Sequence, residues 1–177
     1  MEKKENLILI GFMGSGKTTL GIRLSYRLRQ TFVDTDKWIE KQQGKSISSI
    51  FAEEGEEAFR RLETECLKKL QQESGKQIIS TGGGMPLRAE NRVLLKQLGT
   101  VVYLKASPDA IYERLKEDTT RPLLQTKDPR QRIKELLGDR EAAYQEAADQ
   151  VMNTEGKSQE EVLDELLRLL DKGEKKQ

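Results

Sequence analysis

Short apolar runs alternate along this chain with longer stretches in which apolar residues recur at helical spacing. The run Leu7-Ile8-Leu9-Ile10 has the character of a buried parallel strand, and strands are expected at 6–10, 32–34, 77–80, 100–104 and 149–152. The helical stretches include one after Lys17, with Leu20, Ile22, Leu24 and Leu28. Another, near 56–72, carries Phe59, Leu62, Cys66, Leu67 and Leu70 on one face. The last carries Val162, Leu163, Leu166, Leu167 and Leu170. Helix starts are marked as well. Ser107-Pro108 and Asp128-Pro129 each read as N-cap followed by N1, and Ser158-Gln159-Glu160-Glu161 reads as a capping box. This alternation predicts an α/β protein, a parallel sheet flanked by helices. With no internal repeat and no long linker, residues 1–177 read as a single domain, ending in a frayed Lys172–Gln177 tail.

Composition narrows the chemistry. Charged residues make up 34% of the chain, but 31 Lys+Arg against 30 Asp+Glu leave a net charge of +1. That balance gives no argument for nucleic acid or membrane attraction. There is no histidine, so histidine acid–base work and metal ligation are excluded. The single cysteine, Cys66, excludes an internal disulfide and reads as a buried structural thiol. No apolar run reaches membrane-spanning length and no signal peptide precedes the first strand, so a cytoplasmic protein is expected.

Gly11-Phe12-Met13-Gly14-Ser15-Gly16-Lys17-Thr18 spells G-x-x-x-x-G-K-[ST] between an expected strand and an expected helix. That order aims backbone N–H groups at a polyphosphate. Gly14 and Gly16 let the backbone turn close to phosphate oxygens. Lys17 supplies a point charge, and Thr18 a hydroxyl for Mg²⁺.

Further residues gather around this loop. Asp34 and Asp36 end the second strand, where open α/β sheets face their ligands. One carboxylate can serve Mg²⁺ and the other an acceptor hydroxyl, unless one merely caps the next helix. Glu63 lies on the apolar face of the 56–72 helix, with Arg60 one turn earlier. The two form either a structural ion pair or a device that aims Arg60 into a cleft. Gly82-Gly83-Gly84 follows the third strand and reads as a tight turn or as room for a ligand. Ser80 stands where many P-loop proteins carry a second metal-associated carboxylate, which leaves more of that work to Asp34. Residues 118–130 form a polar, proline-punctuated surface loop or a lid. Arg121 and Arg140 are candidates for neutralising a migrating phosphoryl group, or are solvated surface charges.

Taken together, Gly11–Thr19, Asp34-Thr35-Asp36, Phe59-Arg60-x-x-Glu63, Thr81-Gly82-Gly83-Gly84, Arg121-Pro122-Leu123-Leu124 and Arg140-x-x-x-Tyr144 resemble the shikimate kinases. The motifs stand in family order and span nearly the whole chain. The resemblance implies a three-layer P-loop fold of the nucleoside-monophosphate-kinase type: a five-stranded parallel sheet flanked by helices, a lid near 118–130, and a substrate-binding subdomain near 35–72. It implies transfer of the γ-phosphoryl group of ATP to the 3-hydroxyl of shikimate, a step toward chorismate and the aromatic amino acids. Lys17, Asp36 and Arg121 would be catalytic. ATP would meet Gly14, Ser15, Gly16, Lys17, Thr18, Thr19, Arg114, Arg121 and Lys157. Shikimate would meet Asp36, Arg60, Gly82, Gly83, Gly84 and Arg140, and one Mg²⁺ would be served by Thr18 and Asp34. Asn153–Lys157 lacks the arginine- and proline-rich character of the family's adenine loop, which leaves Lys157 and Arg114 as the nucleotide contacts to examine.

Two arginines and one aspartate match the inventory of a small polyol with one carboxylate. A gluconate-kinase-like sugar-acid kinase shares the P-loop but not the glycine run or the Arg60–Glu63 helix. A guanine-reading switch needs Asn-Lys-x-Asp, which is absent from the chain. Near-neutral charge and a complete site in one chain favour a monomer.

Overall fold

The computed structural model describes residues 5–120 and 124–174. Strands β1 (Asn6–Ile10), β2 (Thr31–Asp34), β3 (Gln77–Ser80), β4 (Gly99–Lys105) and β5 (Gln150–Asn153) form one sheet in the order β2-β3-β1-β4-β5. Every pairing is parallel. All five strands fall within a residue of their expected limits, β4 being longer by one at each end. The chain builds outward from β1 in one direction to β3 and β2 and in the other to β4 and β5. The crevice at such a reversal is where open α/β sheets hold ligands.

Alternation along the strands divides the core. Leu7, Leu9, Ile78, Val102, Leu104 and Met152 share one face with Leu20 and Leu24 of α1 (Lys17–Leu28) and Val162, Leu163 and Leu166 of α8 (Gln159–Glu174). Ile8, Ile10, Ile79, Val101 and Tyr103 share the other face with residues of the remaining helices. These are α2 (Thr35–Gln43), α3 (Ile47–Glu54), α4 (Glu56–Leu70), α5 (Ala89–Leu98), α6 (Pro108–Leu115) and α7 (Pro129–Ala147). The result is three layers, with the period of two in each strand deciding which layer a side chain joins.

Local signals explain the element ends. Ser107 and Asp128 accept the N–H of Ala110 and Gln131, with Pro108 and Pro129 opening α6 and α7. Ser158 and Glu161 exchange the two hydrogen bonds of a capping box. Asn6, buried at the start of β1, donates to Leu98 O at 2.9 Å and accepts from Gln77 N at 2.9 Å, which ties three elements at one end of the sheet. The helix expected after Lys17 is α1. Ile22 is exposed, because a residue two positions from Leu20 points away from Leu20's face. Gly21 is buried in its place, and a Cβ there would lie 2.6 Å from Phe32 Cε2. Leu62 is only partly buried on α4, whereas Phe59, Cys66, Leu67 and Leu70 are in the core as expected.

Candidate active site

The phosphate-binding loop joins β1 to α1. Gly11, Gly14 and Gly16 have φ of 149°, 75° and 95°, conformations that L side chains rarely adopt. Gly16 caps α1 without a side-chain hydrogen bond, so first-turn N–H groups of that helix face the loop. Ser15 is buried, and its N–H donates to Phe12 O at 3.1 Å. Lys17 Nζ is anchored at the root of the loop, 2.7 Å from Gly11 O and 2.9 Å from Phe12 O. Thr18 and Thr19 are exposed in the first turn of the helix.

Arg114, on α6, donates to Gly14 O at 2.8 Å and so lies across the loop. Beside it opens a cleft of about 240 Å³ whose lining includes Gly14, Thr19, Arg114, Thr154 and Lys157. Arg114 and Lys157, expected at the nucleotide, thus share one cleft with the loop. Lys157 Nζ is paired with Glu165 at 2.6 Å. A larger cleft, about 570 Å³, is lined by α6, α7 and the expected lid segment, among them Tyr112, Leu115, Asp118, Leu124, Pro129 and Ile133. Arg121, Pro122 and Leu123 fall outside the described residues.

On the other side of the crevice stand α2, α4, α7 and the loop after β3. Asp34 is the N-cap of α2, its Oδ1 accepting Asp36 N at 3.0 Å and Lys37 N at 3.2 Å. The capping alternative therefore holds for Asp34, and Asp36 two residues on is turned toward the glycine loop. The three glycines report on their surroundings through the space a Cβ would fill. At Gly82 it would lie 2.6 Å from Asp36 Oδ1 and 3.2 Å from Glu63 Oε2. At Gly83 it would lie 3.4 Å from Arg140 Nη1 and 3.5 Å from Met13 N of the phosphate loop. At Gly84 it would fall on the Arg60 guanidinium, 2.5 Å from Cζ. The glycine run is thus a bare floor facing, in turn, an aspartate and two arginines.

The partly buried Arg60 pairs with the buried Glu63, Nη1 to Oε1 at 2.6 Å, with Glu56 adding a second contact at 3.3 Å. The paired Arg60 also reaches the glycine floor at Gly84. Glu63 is fully buried, and its Oε2 has no hydrogen-bond partner among the described residues. Burial pushes the Glu63 carboxyl up to about 7 against the pull of Arg60, and the nearby charge of Asp36 adds to the rise. For Arg60, burial opposes the charge, but Glu63 and Glu56 outweigh it and hold the pKa above its usual value. Arg140 is buried on α7, its guanidinium carbon 5.5 Å from the centre of the Phe12 ring. Cys66 lies in the core, and burial raises its thiol pKa, as expected of a structural cysteine.

The structure adds residues that the sequence reading left without a role. Thr35 Oγ1 accepts Gly82 N at 3.1 Å, and Thr81 binds Leu9 O through both its N–H and its hydroxyl at 3.1 Å. Tyr144 Oη donates to Gly83 O at 2.6 Å. Asn91 donates to Met85 O at 2.9 Å and accepts from Thr64 Oγ1 at 2.7 Å, which links the end of the glycine loop to α4. Thr35, Thr81 and Tyr144 lie inside the motifs quoted above, and Asn91 gave no signal in the sequence.

A polyphosphate cradle at a helix N-terminus, across a crevice from a pocket holding a carboxylate, the buried Arg140 and the partly buried Arg60, defines a P-loop phosphotransferase for a small acidic acceptor. The protein-family profile described as Shikimate kinase matches residues 13–171. The shikimate kinase of Thermodesulfovibrio yellowstonii is 46% identical over 164 residues, covering 93% of this chain and 94% of that protein. That of Bacillus cereus strain G9842 is 48% identical over 162 residues, covering 92% and 96%. Among solved structures, the shikimate kinase of Acinetobacter baumannii in complex with shikimate superposes with a TM-score of 0.89 at 37% identity, covering 97% of this chain and 96% of that one. The chain belongs to the shikimate kinase family.

Proposed function

We propose that this shikimate kinase divides its reaction between the two sides of the crevice as follows. The reaction forms a bond between the 3-oxygen of shikimate and the γ-phosphorus of ATP. It breaks the bond from that phosphorus to the β,γ-bridging oxygen, giving 3-phosphoshikimate and ADP. The glycine loop and Lys17 hold the phosphates, together with Ser15, Thr18 and Thr19, and Arg114 and Lys157 border the nucleoside. Arg60 and Arg140 take the shikimate carboxylate as charge-assisted hydrogen bonds. Asp36 orients the 3-hydroxyl and receives its proton as the oxygen attacks. Arg121 supplies a further cation to the migrating phosphoryl group.

Mg²⁺ is ordinarily held by few protein oxygens, with phosphates and water completing its shell. The donor set here fits that habit: Thr18 offers an exposed hydroxyl in the first turn of α1, and Asp34 a carboxylate with one oxygen engaged in a cap. Thr18 and Asp34 would hold the ion, which when bound neutralises phosphate charge.

We read residues 35–72 as the acceptor-binding part of a single domain, acting as a cytoplasmic monomer. Among the described residues no helix is long and apolar enough to cross a membrane.

The observation that carries this assignment is the glycine floor facing Asp36, Arg140 and Arg60 in sequence. The test is release of ADP from ATP and Mg²⁺ with shikimate or gluconate as acceptor. Turnover with shikimate and none with gluconate is expected. Turnover with gluconate alone, or nucleotide binding without an acceptor, would overturn the assignment.

A further inference from the structure

We propose that Tyr144 is a positioning residue for the phosphoryl acceptor, its hydroxyl fixing the Gly83 peptide between Arg140 and the phosphate loop. The inference rests on the placement of shikimate against Gly82–Gly84 given above. Three consecutive glycines have no side chains to hold their backbone, and such a run loses more conformational freedom on ordering than any other. Its shape must come from hydrogen bonds to neighbouring elements. At Gly82 and Thr81 these come from Thr35 and from Leu9, close to the strands themselves. At Gly83 the bond comes from Tyr144 Oη, at 2.6 Å.

The placement of that hydroxyl is specific. Tyr144 lies one turn beyond Arg140 on α7 and is fully buried, with its ring 5.0 Å from that of Tyr103. Gly83 is the residue whose Cα side faces Arg140 Nη1, Met13 N and Gly11 O. One hydroxyl therefore sets the position of the floor relative to the arginine beside it and to the loop that carries the phosphates. Burial pushes the Tyr144 hydroxyl up to about 12, against the opposing charge of Arg140, so it remains a donor throughout the working pH range.

Tyr144→Phe removes the oxygen and keeps the ring. Steady-state constants for both substrates, together with the melting temperature, separate positioning from support. Expected is a rise of about three- to tenfold in the KM for shikimate, as for one lost hydrogen bond, with the KM for ATP within twofold of wild type. An unchanged shikimate KM overturns the proposal, whatever the melting temperature does. A parallel rise in both KM values, or a fall in kcat alone, assigns the hydroxyl to general support and overturns it equally. Arg140→Ala serves as the control on the underlying placement. If it leaves the shikimate KM unmoved, the acceptor site itself is misplaced. If it raises that KM while Tyr144→Phe does not, only the role of Tyr144 fails.

Discussion

Replacing Glu63 by glutamine tests the electrostatics of the pocket through stability. The wild-type carboxyl is fully buried, and its proton affinity is raised from the ordinary value of 4.5 to about 7. It faces Arg60 on its own helix, Asp36 from α2 and Arg140 from α7. Burial costs the anion more than the two arginines return. Below pH 4.5 the carboxyl is protonated in both folded and unfolded chains, and its titration takes nothing from stability. Between 4.5 and about 7 the unfolded chain ionises while the folded chain keeps its proton, so stability falls as pH rises. Each tenfold change in proton affinity is about 1.4 kcal/mol, so the loss levels off above pH 7 at about 3 kcal/mol. Glu63→Gln keeps the shape and removes the titration. Its stability relative to wild type is expected to rise by about 2.5 kcal/mol between pH 5 and pH 8, measured by urea unfolding of both proteins at each pH. Titrations elsewhere in the molecule are common to both proteins and cancel in the difference. A difference constant within about 1 kcal/mol at the two pH values would refute the reasoning. It would mean that Arg60 compensates the buried anion fully.

Other substitutions probe the floor and the core. Asp36→Asn is expected to lower kcat by ~10²–10⁴ while sparing ATP binding, read by steady-state kinetics and nucleotide titration; unchanged turnover would remove Asp36 from the reaction. Gly84→Ala places a methyl group on the Arg60 guanidinium, which Glu63 prevents from retreating, so the shikimate KM should rise about tenfold or more at constant ATP KM. An unaltered shikimate KM would show that Arg60 does not act from its observed position. Gly21→Ala drives a Cβ to 2.6 Å from the Phe32 ring and should cost about 1–3 kcal/mol in chemical unfolding, with no first effect on either KM.

Much of this architecture is legible along the chain because its causes are local. A phosphate loop is a fixed succession of backbone angles, and only glycine suits Gly14 and Gly16 at their positive φ. Buried parallel strands show as apolar runs, and caps show as Ser-Pro, Asp-Pro or Ser-x-x-Glu. Where two causes compete, the pattern misleads. Ile22 is apolar like Leu20 and Leu24, although helical geometry turns it outward and leaves Gly21 to meet Phe32. The partners of Tyr144 and Asn91 lie 61 and 6 residues away, and both bond to backbone carbonyls that have no identity in the sequence. The pairing of Glu63 with Arg60 could be anticipated from their spacing. The raised proton affinity of Glu63 could not, because it depends on how completely three other elements exclude water.

The absence of side chains on the floor has a physical reason that unites the site. Three charged groups from α2, α4 and α7 converge on Gly82–Gly84, and each glycine stands where a methyl group would displace or crowd one of them. A polar side chain there would satisfy those groups internally and leave an acidic acceptor nothing to bind. Bare backbone keeps their hydrogen-bonding capacity for a ligand, at the cost of a loop with no packing of its own. The hydrogen bonds from Thr35, Tyr144 and Asn91 offset that cost, and each comes from outside the loop. If the acceptor lies where proposed, specificity for a small polar acid would depend on residues that need never touch it, because they hold the floor against its three charged neighbours.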